Sequence, residues 1–476
     1  MFFFIAWKVL EMKEIRIMML SKRKIKRLFL ITAAILLGLY LLIALYFINH
    51  YSFNTEINGV NVSLKSHNKI LKIINQYTEN YQLQLLERYG ETESISGNSI
   101  AIHLNNNFNS KQLYVLQNPL LWFKSMFKKN SYYFNNLYLY NVPLLEKKIS
   151  NLSCVNSTIS EPRNVTFEYS NNTYSLIKEN YGNKINHDRF IDAVKGAISK
   201  GRTTLDLHHN NCYENPKYTL ESKKTYATLK LLNKYVSTKI TYLFGNVTEQ
   251  LNGSIIQHWL TVNDDLEVDI NTKEVNHYIA TLGKKYDTVG VPREFRTSTG
   301  KIIEVKGGLY GWKMNRASES QALLSHIKHG DVIEKEPDYL QKALSRDGNE
   351  IGTTYIEINI TRQHVWFYKN GKLLVQGGVV TGNPSRGNAT VLGVYMINYK
   401  QLDATLVGEN YASKVKYWMP FFGNMGLHDA PWRNSFGGNI YLTRGSHGCV
   451  NAPIFLAKTV FENVEAGTPI IVYEED

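Results

Sequence analysis

Leu28 to Ile48 reads LFLITAAILLGLYLLIALYFI, 21 residues without a charge. At about 1.5 Å per residue, a helix of that length crosses the roughly 30 Å hydrocarbon core of a bilayer. This run constrains the chain more than any other feature, because it sorts the protein into compartments. Lys22, Arg23, Lys24, Lys26 and Arg27 stand immediately before it, and no comparable basic cluster follows. The positive-inside rule makes residues 1–27 a cytoplasmic tail and 28–48 a transmembrane helix, with the rest of the chain outside. A cleaved signal peptide is the competing expectation. Against it, the apolar run is too long for an h-region and no A-x-A site follows. Residues 1–18 read as an extension upstream of a more conventional start at Met19.

The chain has 476 residues, 43% hydrophobic and 20% charged, enough for several packed domains. The net charge is +13, but residues 1–27 alone hold eight Lys/Arg against two Glu, or +6, which leaves +7 for the remainder. No basic face with interleaved aromatics follows, so nucleic acid is not an expected partner. Cys154, Cys212 and Cys449 are widely spaced and form no CxxC, which speaks against a disulfide framework or a structural zinc site. A single Cys154–Cys212 pair stays open in an oxidising compartment.

Two stretches of the exported part resemble each other. Tyr181-Gly-Asn-Lys-Ile-Asn186 matches Tyr310-Gly-Trp-Lys-Met-Asn315, and the same offset pairs Gly201 with Gly330. Asn186 and Asn315 read as helix N-caps and the two glycines as stops. Phe190, Ile191, Val194, Ala197 and Ile198 form an apolar stripe at helical spacing, and Leu323 and Ile327 occupy the positions of Val194 and Ile198. The simplest account is a duplicated α+β module, over 53–220 and 221–345.

From about residue 351 the pattern changes. Ile356, Ile358 and Ile360 alternate with polar residues, and His364–Tyr368, Leu373–Val375, Val391–Ile397 and Pro469–Tyr473 read as further strands. Asn370-Gly371 signals a hairpin. Residues 351–475 therefore form a mostly-β domain, with one helix over Pro453–Val464 capped by Asn451. The fold class is multidomain: a transmembrane helix, duplicated α+β modules and a C-terminal mostly-β domain.

Cys449 lies in RGSHGCVNAP, just before that helix. A helix N-terminus favours a thiolate, and Gly448 permits a tight turn. The Gly448 and Cys449 N–H groups are candidates to face a developing oxyanion. A thiol also needs a base, and His447 and His428 are the candidates. His447 and Cys449 share one side of an extended segment. Asp429, or a backbone carbonyl, is the candidate to orient His428. The residues alone leave three roles open for Cys449: a nucleophile, an inert buried thiol, or a zinc ligand with His428 and His447.

Gly-Leu-His428-Asp, Trp432-Arg433, Ser435-Phe-Gly-Gly438 and Ser446-His-Gly-Cys-Val450 resemble the signature of the L,D-transpeptidases, whose catalytic unit is the YkuD domain. The likeness runs back through Tyr417-Trp-Met-Pro420 and Val380-Thr-Gly382 to about Ile351. The upstream half resembles the Gram-positive, membrane-anchored members, whose wall-facing peptidoglycan-binding modules precede the catalytic domain. The resemblance implies 3→3 cross-linking of peptidoglycan stem peptides, donor and acceptor, at the outer face of a bacterial cell membrane. Cys449 is then the nucleophile that forms a thioester, and His428 the general base with Asp429 as its orienting partner. His447 and Gly448 border the oxyanion site, and Ser446, Trp418 and Arg433 belong to the substrate-binding cleft. No metal or cofactor is implied, and a monomer is expected. Many members carry Arg two residues after the cysteine. Asn451 stands there in this chain, so how substrate carboxylates are held is open. An L,D-carboxypeptidase using the same acyl-enzyme, and a non-catalytic wall-binding protein, are the alternatives.

Overall fold

The computed structural model describes residues 2–408 and 411–475, with the backbone alone for 2–10, 13–21 and 411. The chain divides into two compact units, Met1–Thr166 with Lys178–Leu220, and Phe167–Ile177 with Glu221–Asp476.

In the first unit a continuous helix spans Phe2–Asn49, and its part Lys22–Asn49 is long and apolar enough to cross a membrane. Helix Ile70–Glu79 then leads into an antiparallel hairpin of Gln82–Leu86 and Thr92–Ser96. Helix His187–Ser199 precedes strand Thr204–Asp206, which pairs parallel with Gln82–Leu86. The second unit repeats this order. Helix Lys223–Val236 leads into the hairpin Lys239–Phe244 and Val247–Leu251. Helix Arg316–His329 precedes strand Val332–Lys335, which pairs parallel with Lys239–Phe244. The repeat in the sequence marks the second half of a duplicated topology.

Its local logic is the same in both copies. The Asn186 and Asn315 side chains accept the N–H groups of Arg189 and Ser318, each at 3.2 Å. Gly201 and Gly330 follow with φ of 63° and 73°. Val194, Ile198, Leu323 and Ile327 are fully buried, each worth about 1.5–3 kcal/mol of apolar burial. The motif glycines Gly182 and Gly311 have positive φ, and a Cβ would lie 2.2 Å from Ser160 O and 2.6 Å from Thr288 O respectively. Only glycine fits at either place, which accounts for the shared Tyr-Gly.

One boundary differs from the sequence reading. Phe167–Ile177 falls inside the 53–220 expected for the first module, yet it belongs to the second unit. Tyr169 and Tyr174 pack on the second core, and the Asn233 side chain binds both Tyr174 N–H, at 2.7 Å, and Tyr174 C=O, at 3.0 Å. Cys154, Cys212 and Cys449 are all free thiols, so the pair left open between the first two is not formed.

The C-terminal domain holds two sheets. We label its strands β1 (Tyr355–Asn359), β2 (His364–Lys369), β3 (Lys372–Gly378), β4 (Gly393–Met396), β5 (Gln401–Gly408), β6 (Tyr411–Phe422), β7 (Met425–Asp429), β8 (Val450–Ala452) and β9 (Pro469–Tyr473). The sheet orders are β3-β2-β1-β9-β4 and β5-β6-β7-β8. Leu456, Ala457 and Val460 of helix Ile454–Asn463 share one core with Ile356 and Ile358 of β1, Met419 of β6 and Leu427 of β7. Asn370 and Gly371 both take positive φ at the β2–β3 turn.

Alternation along β1 predicts an exposed Glu357 and Asn359, but both are fully buried. The hairpin Arg293–Arg296 and Ile302–Val305 contributes Phe295 and Val305 to a core shared with Ile471 and Tyr473. Glu357 is satisfied there by Ser298 N–H at 2.8 Å and Tyr473 O–H at 2.6 Å. A polar strand face is thus buried by a partner more than fifty residues upstream, which periodicity does not register.

Candidate active site

The site is built on the parallel pair β7–β8, in which His428 stands opposite Asn451. Cys449 precedes β8 by one residue. Val380-Thr-Gly382 straps this segment: Val380 and Asn451 exchange two backbone bonds at 2.9 Å, and Ser446 N–H donates to Thr381 O at 2.9 Å. Gly382 is required here, because a Cβ would fall 1.9 Å from Asn388 O.

The loop carrying Cys449 is closed on itself. Ser446 Oγ donates to Cys449 O and accepts Gly448 N–H at 3.0 Å. Gly448 has φ of 119°, and a Cβ there would meet Met425 Cε at 2.8 Å. The Thr390 hydroxyl accepts Gly382 N–H and donates to Gly448 O, both at 2.9 Å.

A chain of hydrogen bonds defines the state of His428. Arg433 Nε donates to Asn451 Oδ1 at 2.8 Å. Arginine carries donors only, so the Asn451 amide must turn its NH2 the other way. That Nδ2 lies 3.1 Å from His428 Nε2, which therefore accepts. The ring proton then sits on Nδ1, 2.8 Å from the Asp429 carbonyl oxygen. Burial holds the His428 imidazole below its ordinary value, against the Asp429 carbonyl hydrogen bond and the Asp429 carboxylate charge, and nearby Arg433 adds to the lowering. Trp418 and Trp432 flank the ring at 5.7 and 6.0 Å. The result is a neutral imidazole with its lone pair on Nε2.

Cys449 packs with Ala404, Val415 and Trp418 and is only 9% exposed. Burial pushes its thiol up to about 11, and Sγ lies 3.5 Å from Asn424 O as a weak donor. The resting sulfur is a neutral thiol. Helix Ile454–Asn463 is capped by Pro453, with no side-chain cap bond. The expected Asn451 cap is therefore corrected: Asn451 lies in β8 and its amide serves His428. The intervening strand also separates Cys449 from the helix N-terminus, which removes the dipole argument for a resting thiolate.

An open cleft of about 230 Å³ is lined by His428, Arg433, Ser446, His447, Cys449 and Asn451, together with Leu406, Ser413 and Trp432. His447 is exposed at its rim. Three expected roles change. The Asp429 carboxylate does not face His428; it accepts Lys416 N–H at 2.9 Å and Tyr417 N–H at 2.8 Å. The carbonyl of Asp429 orients the ring instead. Trp418 is buried behind Cys449 and is not among the cleft's lining residues. Gly448 N–H is already donated to Ser446 Oγ. Trp432 was legible in the Trp-Arg pair quoted above, whereas Leu406 and Ser413 come from the β5–β6 hairpin and carry no sequence signal.

The family model "L,D-transpeptidase catalytic domain" matches residues 353–472. The model "Putative peptidoglycan binding domain" matches 123–206 and 218–334. No curated protein matches the chain. Among solved structures, a variant of an Enterococcus faecium L,D-transpeptidase is 36% identical over 53% of this chain and 100% of that chain, with a TM-score of 0.43. The catalytic domain of an E. faecium L,D-transpeptidase acylated by ertapenem is 42% identical over 26% of this chain and 98% of that chain, with a TM-score of 0.24. With the catalytic-domain model matched at 353–472 and the peptidoglycan-binding model at 123–206 and 218–334, the chain belongs to the L,D-transpeptidases with a YkuD catalytic domain, cysteine-dependent acyltransferases.

Proposed function

We propose that this protein is a membrane-anchored enzyme that forms 3→3 peptidoglycan cross-links, with Cys449 as nucleophile and His428 as base. The observation that carries the reading is the Arg433–Asn451–His428–Asp429 chain, which leaves a neutral imidazole in the same cleft as the Cys449 thiol. His428 Nε2 exchanges the Asn451 amide, which it accepts in the resting state, for the thiol proton as Sγ leaves Asn424 O and attacks the carbonyl of the third residue of a donor tetrapeptide. Collapse of the tetrahedral adduct breaks the amide, and the proton on His428 leaves with D-Ala. A thioester remains. The side-chain amine of an acceptor stem then attacks it, His428 takes the amine proton, and Sγ departs and recovers that proton. Ser446 and His447 shape the rim where the oxyanion develops, and Arg433 and Trp432 face the substrate. The peptidoglycan-binding matches and the apolar helix Lys22–Asn49 support a location at the outer face of the membrane, with the basic segment inside.

Incubating the full chain with tetrapeptide stems tests the reaction. Cross-linked dimers are expected; tripeptides alone identify a carboxypeptidase, and unchanged stems a wall-binding protein.

Asn451 acts here as a positioning residue. Asn451→Asp places a carboxylate between Arg433 and His428 and favours the imidazolium. The acid limb of the acylation rate is expected to move up by about one pH unit, with little change at alkaline pH. An unmoved limb in a folded variant contradicts the hydrogen-bond chain as the control of His428.

A further inference from the structure

The first unit exposes an unusual apolar surface beside its long helix. The segment VLQNPLLWFKSMFKK, residues 115–129, leaves Val115, Leu120, Leu121, Phe123, Met126 and Phe127 exposed, with Phe127 at 87%. A soluble surface rarely gathers so many large apolar side chains in one short stretch. Its 3-10 turn Pro119–Met126 packs on the helix Phe2–Asn49: the Trp122 ring lies 5.6 Å from Tyr40 and 6.2 Å from Phe47, and Phe123 lies 6.3 Å from Tyr40.

Depth follows from this contact. Tyr40 sits eight residues inside the outer end of the apolar run Leu28–Ile48, about 12 Å at the helical rise. A segment seated against Tyr40 lies below the level at which the run ends. Backbone in hydrocarbon must have its polar groups satisfied internally, and several here are. Tyr40 O–H donates to Leu120 O, and Ser125 Oγ donates to Trp122 O. The Asn54 amide serves Ser125 O at 2.9 Å and Met126 O at 3.2 Å. The Asn118 side chain accepts Leu120 N–H at 3.0 Å. Lys124 and Lys128 are exposed beside the apolar residues, and a lysine stem is long enough to lie along apolar surface while its ammonium stays at a headgroup level.

We propose that residues 115–128 dip into the outer leaflet beside the transmembrane helix, as a second membrane contact that holds the first unit against the bilayer. This rests on the reading that Lys22–Asn49 spans the membrane. The partner is lipid: acyl chains for the apolar side chains, and anionic headgroups for Lys124 and Lys128.

The test uses the full chain in phosphatidylglycerol-containing vesicles with brominated acyl chains. Single cysteines carry an environment-sensitive fluorophore at Phe127→Cys, at Leu36→Cys within the span, and at Tyr89→Cys, an exposed site of the same unit. The three native cysteines, Cys154, Cys212 and Cys449, are replaced by alanine in all three variants, so each carries a single thiol. Bromolipid quenching is expected at positions 127 and 36, at least about twofold above that at 89. Quenching at 36 without quenching at 127 overturns the proposal while leaving the anchor intact. Loss at both sites overturns the anchor and the proposal with it. Disulfide-linked dimers through Phe127→Cys that form equally without lipid assign the surface to a second copy and overturn the proposal.

Discussion

Alanine at position 449 is expected to abolish the covalent adduct with a carbapenem and to lower stem-peptide cross-linking by at least about a thousandfold. The structure makes this substitution clean. Cys449 lies among Ala404, Val415 and Trp418, so losing one sulfur costs about 1 kcal/mol of packing and leaves the domain folded. Val380, Thr381 and Asn451 hold the segment through backbone bonds that do not involve the thiol. Intact mass reads the result: a stoichiometric adduct on the wild type, none on Cys449→Ala. An adduct on the alanine variant, or none on the wild type, removes Cys449 from the role of nucleophile.

His428→Ala is expected to slow acylation by about a hundredfold to ten-thousandfold. The reason is the resting state of the sulfur. With its thiol pushed up to about 11, Cys449 is thiolate in only about one molecule in ten thousand at pH 7. Unassisted attack is therefore slow, and the proton must leave to a base during attack. His428 is held below its ordinary value and so stays neutral at pH 7. The wild-type rate should be flat near neutrality and fall only as pH drops through the lowered His428 value, where the base becomes protonated. In His428→Ala that acid limb should vanish, and the rate should climb with pH toward the ionisation of the thiol itself. A variant that keeps the wild-type profile would assign the base elsewhere, with His447 the next candidate in the cleft.

Part of what the structure corrected was available in principle. Adjacent strand residues face opposite sides, so a carboxylate on Asp429 was never well placed to reach the ring of His428 within β7. Its carbonyl was. The helix expected over Pro453–Val464 exists as Ile454–Asn463, but the short strand Val450–Ala452 was hidden, because three residues are too few for periodicity to register. Reading Asn451 as a cap followed from that gap.

The sequence by itself determined the features whose cause is local. The apolar run, the Asn caps and glycine stops of the repeat, the Asn-Gly turn and the Ser-His-Gly-Cys loop each depend on residues within a few positions of one another. Tertiary structure alone decided the features whose partners are distant in the chain. The hairpin at 293–305 covers Glu357. The β5–β6 hairpin encloses Cys449 and sets its protonation. Arg433 fixes the Asn451 amide and, through it, the tautomer of His428. Desolvation and hydrogen-bond direction depend on what lies across a fold, and no spacing along the chain encodes them.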